Sequence, residues 1–185
     1  MKLVGCVYVD DPQGFSYEFM WARPGWAHKA FGFVPTRMDE RPELDNQRVE
    51  CSIRIAASPE RLFAELGDHE ALSGWAGLGT VRLDKPGLKE PNGRFAERVV
   101  SSPVGNIREQ ITEWIPGQGY RYRILEGSPF VGYWAHVQLT PEGDLTRVDW
   151  IIRYRSKIPG LGGVLRKVIV SKFDAALQAL KERVE

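Results

Sequence analysis

The sequence predicts an α+β fold in which a curved antiparallel sheet of about seven strands wraps around one long C-terminal helix. Residues 49–55 alternate between apolar and polar side chains, the period of a strand with one solvated face. From Thr80 onward, six β-favouring runs are separated by turns rich in glycine and proline. In residues 161–184 the apolar side chains recur at helical spacing, which predicts the terminal helix.

Composition excludes several classes of protein. The chain has 185 residues, with 25 Lys and Arg against 24 Asp and Glu, so a strongly basic nucleic-acid binder is excluded. A hydrophobic share of 43% is too high for a disordered chain. The two cysteines, Cys6 and Cys51, belong to no metal or redox motif, and an early apolar run ends at Asp10. We therefore expect a cytoplasmic protein with no metal, no cofactor and no integral membrane segment.

The first 48 residues predict an appendage. Residues 2–9 and 15–21 favour strands and flank a turn sequence, which predicts a β-hairpin, and the charged, proline-containing residues 35–48 predict a linker. We divide the chain into an aromatic-rich arm at 1–34, the linker at 35–48 and a main domain at 49–185. The arm has too much aromatic surface for a free tail, so we expect it to dock on the outer sheet face, a second subunit or the mouth of a cavity.

Two short helices are expected after the first strand of the main domain. Ser58 and Pro59 supply an N-cap and a first-turn proline, and Leu62, Phe63 and Leu66 share one helical face. Asp68 can cap a second helical segment that ends near Trp75.

The period-2 pattern assigns faces to the later strands, because successive side chains point to opposite sides of a sheet. The inner face is predicted to carry Tyr120, Tyr122, Ile124, Tyr133, Ala135, Val137, Leu139, Val148, Trp150, Ile152 and Tyr154. The outer face is predicted to gather Arg108, Trp114, Arg121, Arg123, Trp134, His136 and Arg153. The terminal helix is predicted to bury Leu165, Val168, Ile169, Phe173, Ala176, Leu177 and Leu180. The near-neutral charge disfavours nucleic acid on the outer face, so the arm or a second subunit is expected there, with a homodimer as one outcome.

Two glutamates are expected on the inner face. Glu109 shares its face with Ile107 and Ile111, and the same alternation continues to Glu113 and Ile115. Glu97 lies between Phe95 and Val99. A buried carboxylate pairs with a cation, stays hydrated or becomes protonated. Each glutamate is therefore either a structural partner of an arginine or a polar anchor in an apolar cavity.

Residues 49–185 resemble the START-like helix-grip superfamily, specifically its polyketide cyclase/dehydrase and lipid-transport branch. The resemblance lies in residues 49–63, in residues 106–117 beginning Asn-Ile-Arg-Glu-Gln-Ile-Thr-Glu-Trp, in residues 120–124 and in residues 139–150. It implies a deep apolar cavity between the sheet and the C-terminal helix. It also implies that Glu109 is a polar pocket residue, and that Tyr122 and Trp150 line the pocket.

We expect this cavity to bind a small hydrophobic or amphipathic ligand such as a lipid, a polyketide or an aromatic compound. Its predicted lining is Trp75, Glu97, Glu109, Ile111, Tyr120, Tyr122, Tyr133, Trp150, Ile152, Phe173 and Leu177. Two alternatives stay open. In the first, Glu109 or Glu97 is catalytic in a cyclase or dehydratase; in the second, the protein is an adaptor whose outer face binds a partner.

Overall fold

The computed structural model describes the strand backbone at 5–10 and 16–21 and, in full, residues 47–102, 105–158 and 161–185. The chain divides into two compact units, 1–44 and 45–185. In the first, β1 (Gly5–Asp10) and β2 (Ser16–Trp21) pair antiparallel, with Gly5 opposite Trp21. Most of the predicted linker and the aromatic side chains of the arm lie outside the described residues, so the domain boundaries at 34 and 48 stay predictions.

The second unit follows the predicted order of strand, two short helices, six strands and one long helix. Its elements are β3 (Gln47–Ile55), α1 (Pro59–Gly67), α2 (Leu72–Trp75), β4 (Thr80–Lys85), β5 (Glu97–Ser102), β6 (Gly105–Ile115), β7 (Gly119–Glu126), β8 (Phe130–Glu142), β9 (Leu145–Ser156) and α3 (Gly162–Val184). They form a curved, open seven-stranded sheet in the order β3-β9-β8-β7-β6-β5-β4, and every neighbouring pair is antiparallel. The predicted fold class is confirmed.

Ser58 caps α1 as predicted, whereas Asp68 caps the turn that precedes α2, and α2 itself begins at Leu72 without a side-chain cap. The Ser58 hydroxyl accepts a hydrogen bond from the Arg61 backbone N–H at 3.3 Å, and the Asp68 carboxylate accepts one from the Ala71 N–H at 3.1 Å. Helix α1 buries Leu62, Phe63 and Leu66 in the main core. Helix α2 follows directly and packs beside β4.

The main core lies between the inner face of the sheet and α3, which packs chiefly against β3 and β9. Of the residues predicted to face inward on β7, β8 and β9, Ile124 is half-buried and packs against the core. The others are buried: Tyr120, Tyr122, Tyr133, Ala135, Val137, Leu139, Val148, Trp150, Ile152 and Tyr154. Helix α3 covers part of this face with Ile169, Ala176, Leu177 and Leu180. The face assignment for these three strands is therefore confirmed.

The prediction for β6 is wrong beyond Ile111 because the strand contains a bulge. The pairing of β6 with β7 shifts between Ile111 and Glu113, which reverses the alternation of faces for the rest of the strand. Trp114, predicted on the outer face, packs on Phe63 and Tyr120 in the core. Glu113 pairs with Arg121 on the outer face instead, at 3.0 Å.

The prediction for Val168 on α3 is also wrong, because this side chain is 54% exposed. The buried side of α3 is centred on Ile169, Ala176 and Leu180, and Val168 lies roughly 100° around the helix from Ile169. Apolar residues occupy more than one side of the first turns of α3. The sequence pattern alone therefore could not select the packed side.

Candidate functional site

A buried ion pair forms the polar centre of the inner face. The Arg98 Nε on β5 donates to Glu109 Oε2 on β6 at 2.8 Å, and the two residues lie directly opposite in the strand register. Arg98 is only 3% exposed and Glu109 only 7%. The inward position of Glu109 agrees with the sequence prediction. Of the two roles expected for it, partner of an arginine or polar anchor in a cavity, the ion pair with Arg98 is the first.

Glu97 does not belong to this centre, which corrects the sequence prediction. It is one residue before Arg98 on β5 and therefore lies on the opposite face. There it accepts a hydrogen bond from Lys85 Nζ at 2.9 Å and lies 3.6 Å from Arg108 Nη1. The alternation that governs this strand runs through Ala96, Arg98 and Val100, not through Phe95 and Val99. Phe95 precedes the strand with a φ of 69°, so it does not continue the alternation.

Aromatic rings surround the ion pair. The Arg98 guanidinium lies 4.7 Å from the ring centre of Tyr122 and 6.0 Å from that of Tyr120. The rings of Tyr122 and Tyr133 are 6.2 Å apart. The Trp150 indole N–H donates to the Tyr122 hydroxyl at 3.2 Å. The cation is thus enclosed by rings that are apolar on their faces and polar at their tips.

The tyrosine hydroxyls in this region stay protonated. Burial raises the pKa of Tyr120, Tyr122 and Tyr133, and the nearby Glu109 carboxylate raises each of them further. The Arg98 cation acts in the opposite direction but does not reverse the shift. These hydroxyls are therefore neutral hydrogen-bonding groups and not bases.

His69, which the sequence pattern did not place in the site, is fully buried beside this cluster. Its ring centre lies 5.2 Å from that of Tyr120 and 5.6 Å from that of Trp114. Burial, together with the Arg98 cation, lowers the pKa of His69 well below its usual value, so the ring is neutral. The one sequence signal is its three-residue spacing from Leu66 and Leu72, but His69 lies in the turn between α1 and α2, so only the fold shows that it is buried.

Several polar atoms in this interior have no hydrogen-bond partner within the described part of the chain. They are both ring nitrogens of His69, Nη1 of Arg98, the Tyr120 hydroxyl and the Trp75 indole nitrogen. The Arg98 guanidinium is near enough to the Tyr120 hydroxyl to oppose the rise of its pKa, but the two groups do not meet in hydrogen-bond geometry. Native interiors contain few such atoms, since each costs about 1–3 kcal/mol relative to a satisfied group. A bound molecule with oxygen atoms would supply the missing partners of His69, Arg98 and Tyr120, which lie next to one another.

The structure brings most of the predicted lining into one core cluster. Ile111, Tyr120, Tyr122, Tyr133, Trp150, Ile152 and Leu177 are buried there, while Trp75 and Phe173 are half-buried and pack against it. Phe173 on α3 meets Trp150 edge-on, with ring centres 4.7 Å apart. Glu97 is the one predicted lining residue that lies elsewhere. Arg98 and His69 belong to the interior although the sequence analysis did not predict them there.

The outer face holds the predicted mixture of cations and aromatic rings, apart from Trp114. The Arg153 guanidinium lies 5.5 Å from the Trp134 ring centre, and His136 lies opposite Arg121 in the strand register. Burial and the Arg121 cation lower the pKa of His136 to about 4. In the described ranges, no three His, Cys, Asp or Glu side chains are arranged to hold a metal ion, and no helix has the length and apolar character of a membrane span.

The neutral state of His69 predicts a pH-dependent stability. An unfolded histidine gains a proton near pH 6.5 and folded His69 does not, so acid favours the unfolded state. Between about pH 7 and about pH 5, His69 should lower the free energy of unfolding by about 2 kcal/mol. His136 acts in the same direction.

Urea unfolding at a series of pH values measures this dependence. His69→Phe should remove much of the loss of stability below pH 7, and His69→Phe combined with His136→Gln should remove most of it. An unchanged pH dependence in His69→Phe would show that His69 is solvated or already charged in the folded protein.

Comparison with known proteins agrees with this architecture. Residues 46–185 match the family model described as polyketide cyclase / dehydrase and lipid transport. A START superfamily protein from Mycobacterium smegmatis superposes with a TM-score of 0.65 at 17% identity, over 74% of this chain and 96% of that one. A protein from Thermus thermophilus gives 0.56 at 26% identity, over 75% and 97% of the two chains. The Aha1 dimer from Colwellia psychrerythraea gives 0.58 at 18%, over 75% and 96%.

No curated protein matches the chain. The family match covers most of the chain, including every element that forms the polar centre. The seven-stranded sheet, the two short helices and the terminal helix are those of the helix-grip fold that the START superfamily relative shares. The chain therefore belongs to the polyketide cyclase/dehydrase and lipid-transport family of START-like proteins.

Proposed function

We propose that the protein binds a small, largely hydrophobic ligand in the interior between the inner sheet face and α3. The family to which it belongs supports binding of this kind in general terms. The observation that carries the proposal for this chain is the group of unpartnered polar atoms on His69, Arg98 and Tyr120 inside an aromatic core. An apolar chamber with a few convergent polar groups is the usual form of a small-molecule site.

The charges of the site indicate what kind of polar group the ligand carries. Arg98 is neutralised by Glu109, and His69 is uncharged, so the centre has no net charge left for an anion. A carboxylate ligand would bring an uncompensated charge into a buried site. A neutral carbonyl or hydroxyl would instead accept hydrogen bonds from Arg98 and Tyr120 without that cost.

The ion pair with Arg98 also favours a binding role over a catalytic role for Glu109. A carboxylate that transfers protons must change its charge during the reaction. Each protonation of Glu109 would leave buried Arg98 as an uncompensated cation. A cyclase or dehydratase activity, the adaptor role of the outer face, a cytoplasmic location and a homodimer stay predictions of the sequence.

Two aromatic probes of nearly equal shape test this proposal. Acetylnaphthalene carries a carbonyl where ethylnaphthalene carries a methylene group, so their difference in affinity reports the hydrogen bond net of the cost of removing the carbonyl from water. Both should bind and change the tryptophan fluorescence, and the ketone should bind about tenfold more tightly. Tyr120→Phe should reduce the preference for the ketone and leave ethylnaphthalene binding almost unchanged.

Trp134→Phe on the outer face is the control for the fluorescence change, and it should alter neither affinity. If neither probe binds the folded protein, the interior is filled by its own side chains and the proposal fails. Equal affinities with no effect of Tyr120→Phe would keep an apolar site but reject the polar centre as its recognition element.

A further inference from the structure

The solvent side of the first turns of α3 is apolar, which the ligand site does not explain. Val164 is 58% exposed and Val168 is 54% exposed. Leu161 at the helix start and Ile158 just before it are also exposed. The Leu161 N–H donates to the Ile158 carbonyl at 3.3 Å, so these two residues are adjacent. We call these four exposed side chains, which lie at the start of α3 and just before it, the α3 patch.

Helix geometry places lysines on both sides of this patch. At 100° per residue, Val168 lies roughly 40° from Val164 around the helix axis. Lys167 lies roughly 60° to one side of Val164 and Lys172 roughly 80° to the other. Both lysines are exposed. Each aliphatic stem can therefore extend beside the patch while its ammonium group reaches past it.

The chain segment that carries the patch is basic, and the first acidic residue after it is Asp174. Between Arg155 and Phe173 there are five basic residues and no acidic one: Arg155, Lys157, Arg166, Lys167 and Lys172. Lys157 donates to the Ser128 carbonyl at 2.7 Å and Arg166 approaches the Arg48 carbonyl at 3.5 Å. Backbone carbonyls are neutral, so these bonds leave the positive charge in place.

The exposed apolar side chains together with the neighbouring lysines favour one kind of partner. Exposed apolar side chains flanked by lysines are typical of segments that lie in the interface of an anionic bilayer. A second copy of the chain fits less well, because a twofold contact through the α3 patch would bring like charges together. We propose that the α3 patch docks the protein on an anionic lipid surface, with Val164 and Val168 entering the interface and Lys167 and Lys172 contacting the headgroups.

Vesicle flotation with the full chain tests this proposal. The protein should float with phosphatidylcholine vesicles that contain phosphatidylserine, and much less with phosphatidylcholine alone. Lys167→Gln with Lys172→Gln should weaken binding by about fivefold for each lysine. Val164→Ser with Val168→Ser should weaken it by about tenfold or more.

Leu88→Ser and Lys89→Gln are matched controls, since both residues are exposed on the β4–β5 connection. They should leave flotation unchanged, and circular dichroism should show all variants folded. The unmodified protein gives a second readout, because added salt should release it from phosphatidylserine vesicles. The proposal is overturned if the protein does not float, if the patch variants float like the parent, or if Val164→Ser with Val168→Ser dissociates a dimer in light scattering.

Discussion

Arg98→Met should lower the free energy of unfolding by about 3–5 kcal/mol, which is among the largest effects expected in this chain. Methionine is similar in volume to arginine, so the substitution leaves little cavity. It leaves the Glu109 carboxylate buried with no cation beside it. Because both residues are almost fully buried, water cannot hydrate the Glu109 carboxylate well enough to replace the lost cation. Urea unfolding monitored by circular dichroism measures the loss.

The reciprocal change completes the test. Glu109→Leu should also destabilise, because it strands the Arg98 cation. The double variant Arg98→Met with Glu109→Leu should be more stable than either single variant, since it removes both charges together. Lys85→Met on the other face, which breaks only a surface pair with Glu97, is the control and should cost less than about 1 kcal/mol. Additive losses in the double variant would contradict a direct pair.

Trp150→Ala should lower the free energy of unfolding by about 3–5 kcal/mol, because it removes the largest buried side chain of the inner face and leaves a cavity in the core. The change also removes the hydrogen bond to the Tyr122 hydroxyl and the ring contact with Phe173. Thermal and urea unfolding give the loss, and binding of acetylnaphthalene should weaken in parallel.

Trp134→Ala is the matched control, because Trp134 is on the neighbouring strand β8 but on the outer face. Its contact with Arg153 is a cation–π interaction near the surface, worth about 0.5–1 kcal/mol. The loss in Trp134→Ala should therefore be much smaller than that in Trp150→Ala. Losses of equal size would mean that the two faces of the sheet are equally buried and would contradict the proposed interior site.

The fold was predictable because its main signals are local. The alternation in β8 and β9 has period 2 and contains no irregularity between Trp134 and Tyr154, so the faces followed directly. The cap at Ser58 indicated the start of α1, whereas Asp68 caps the turn that leads into α2. The bulge in β6 could not be predicted, because it depends on how β6 pairs with β7 and has no residue pattern of its own in the sequence. That one extra residue moved Trp114 from the outer face into the core.

The candidate site was only partly predictable. Glu109 was found because a charged residue between two isoleucines is anomalous in a strand. Its partner was missed because Glu97 and Arg98 are adjacent, and a shift of one residue exchanges which of them faces inward. His69 was missed because it belongs to no sequence motif, and its importance comes from burial beside Arg98 and Tyr120.

The measurement that tests the interior site most directly is a nitrogen–proton NMR titration of the indole groups with acetylnaphthalene. The indole N–H of Trp150 is bonded to Tyr122 at the centre of the proposed site, and Trp134 is on the opposite face of the sheet. We expect saturable shifts of the Trp150 signal at one equivalent of probe, with the Trp134 signal unmoved. Shifts confined to Trp134, or no saturable shift of Trp150, would contradict an interior site.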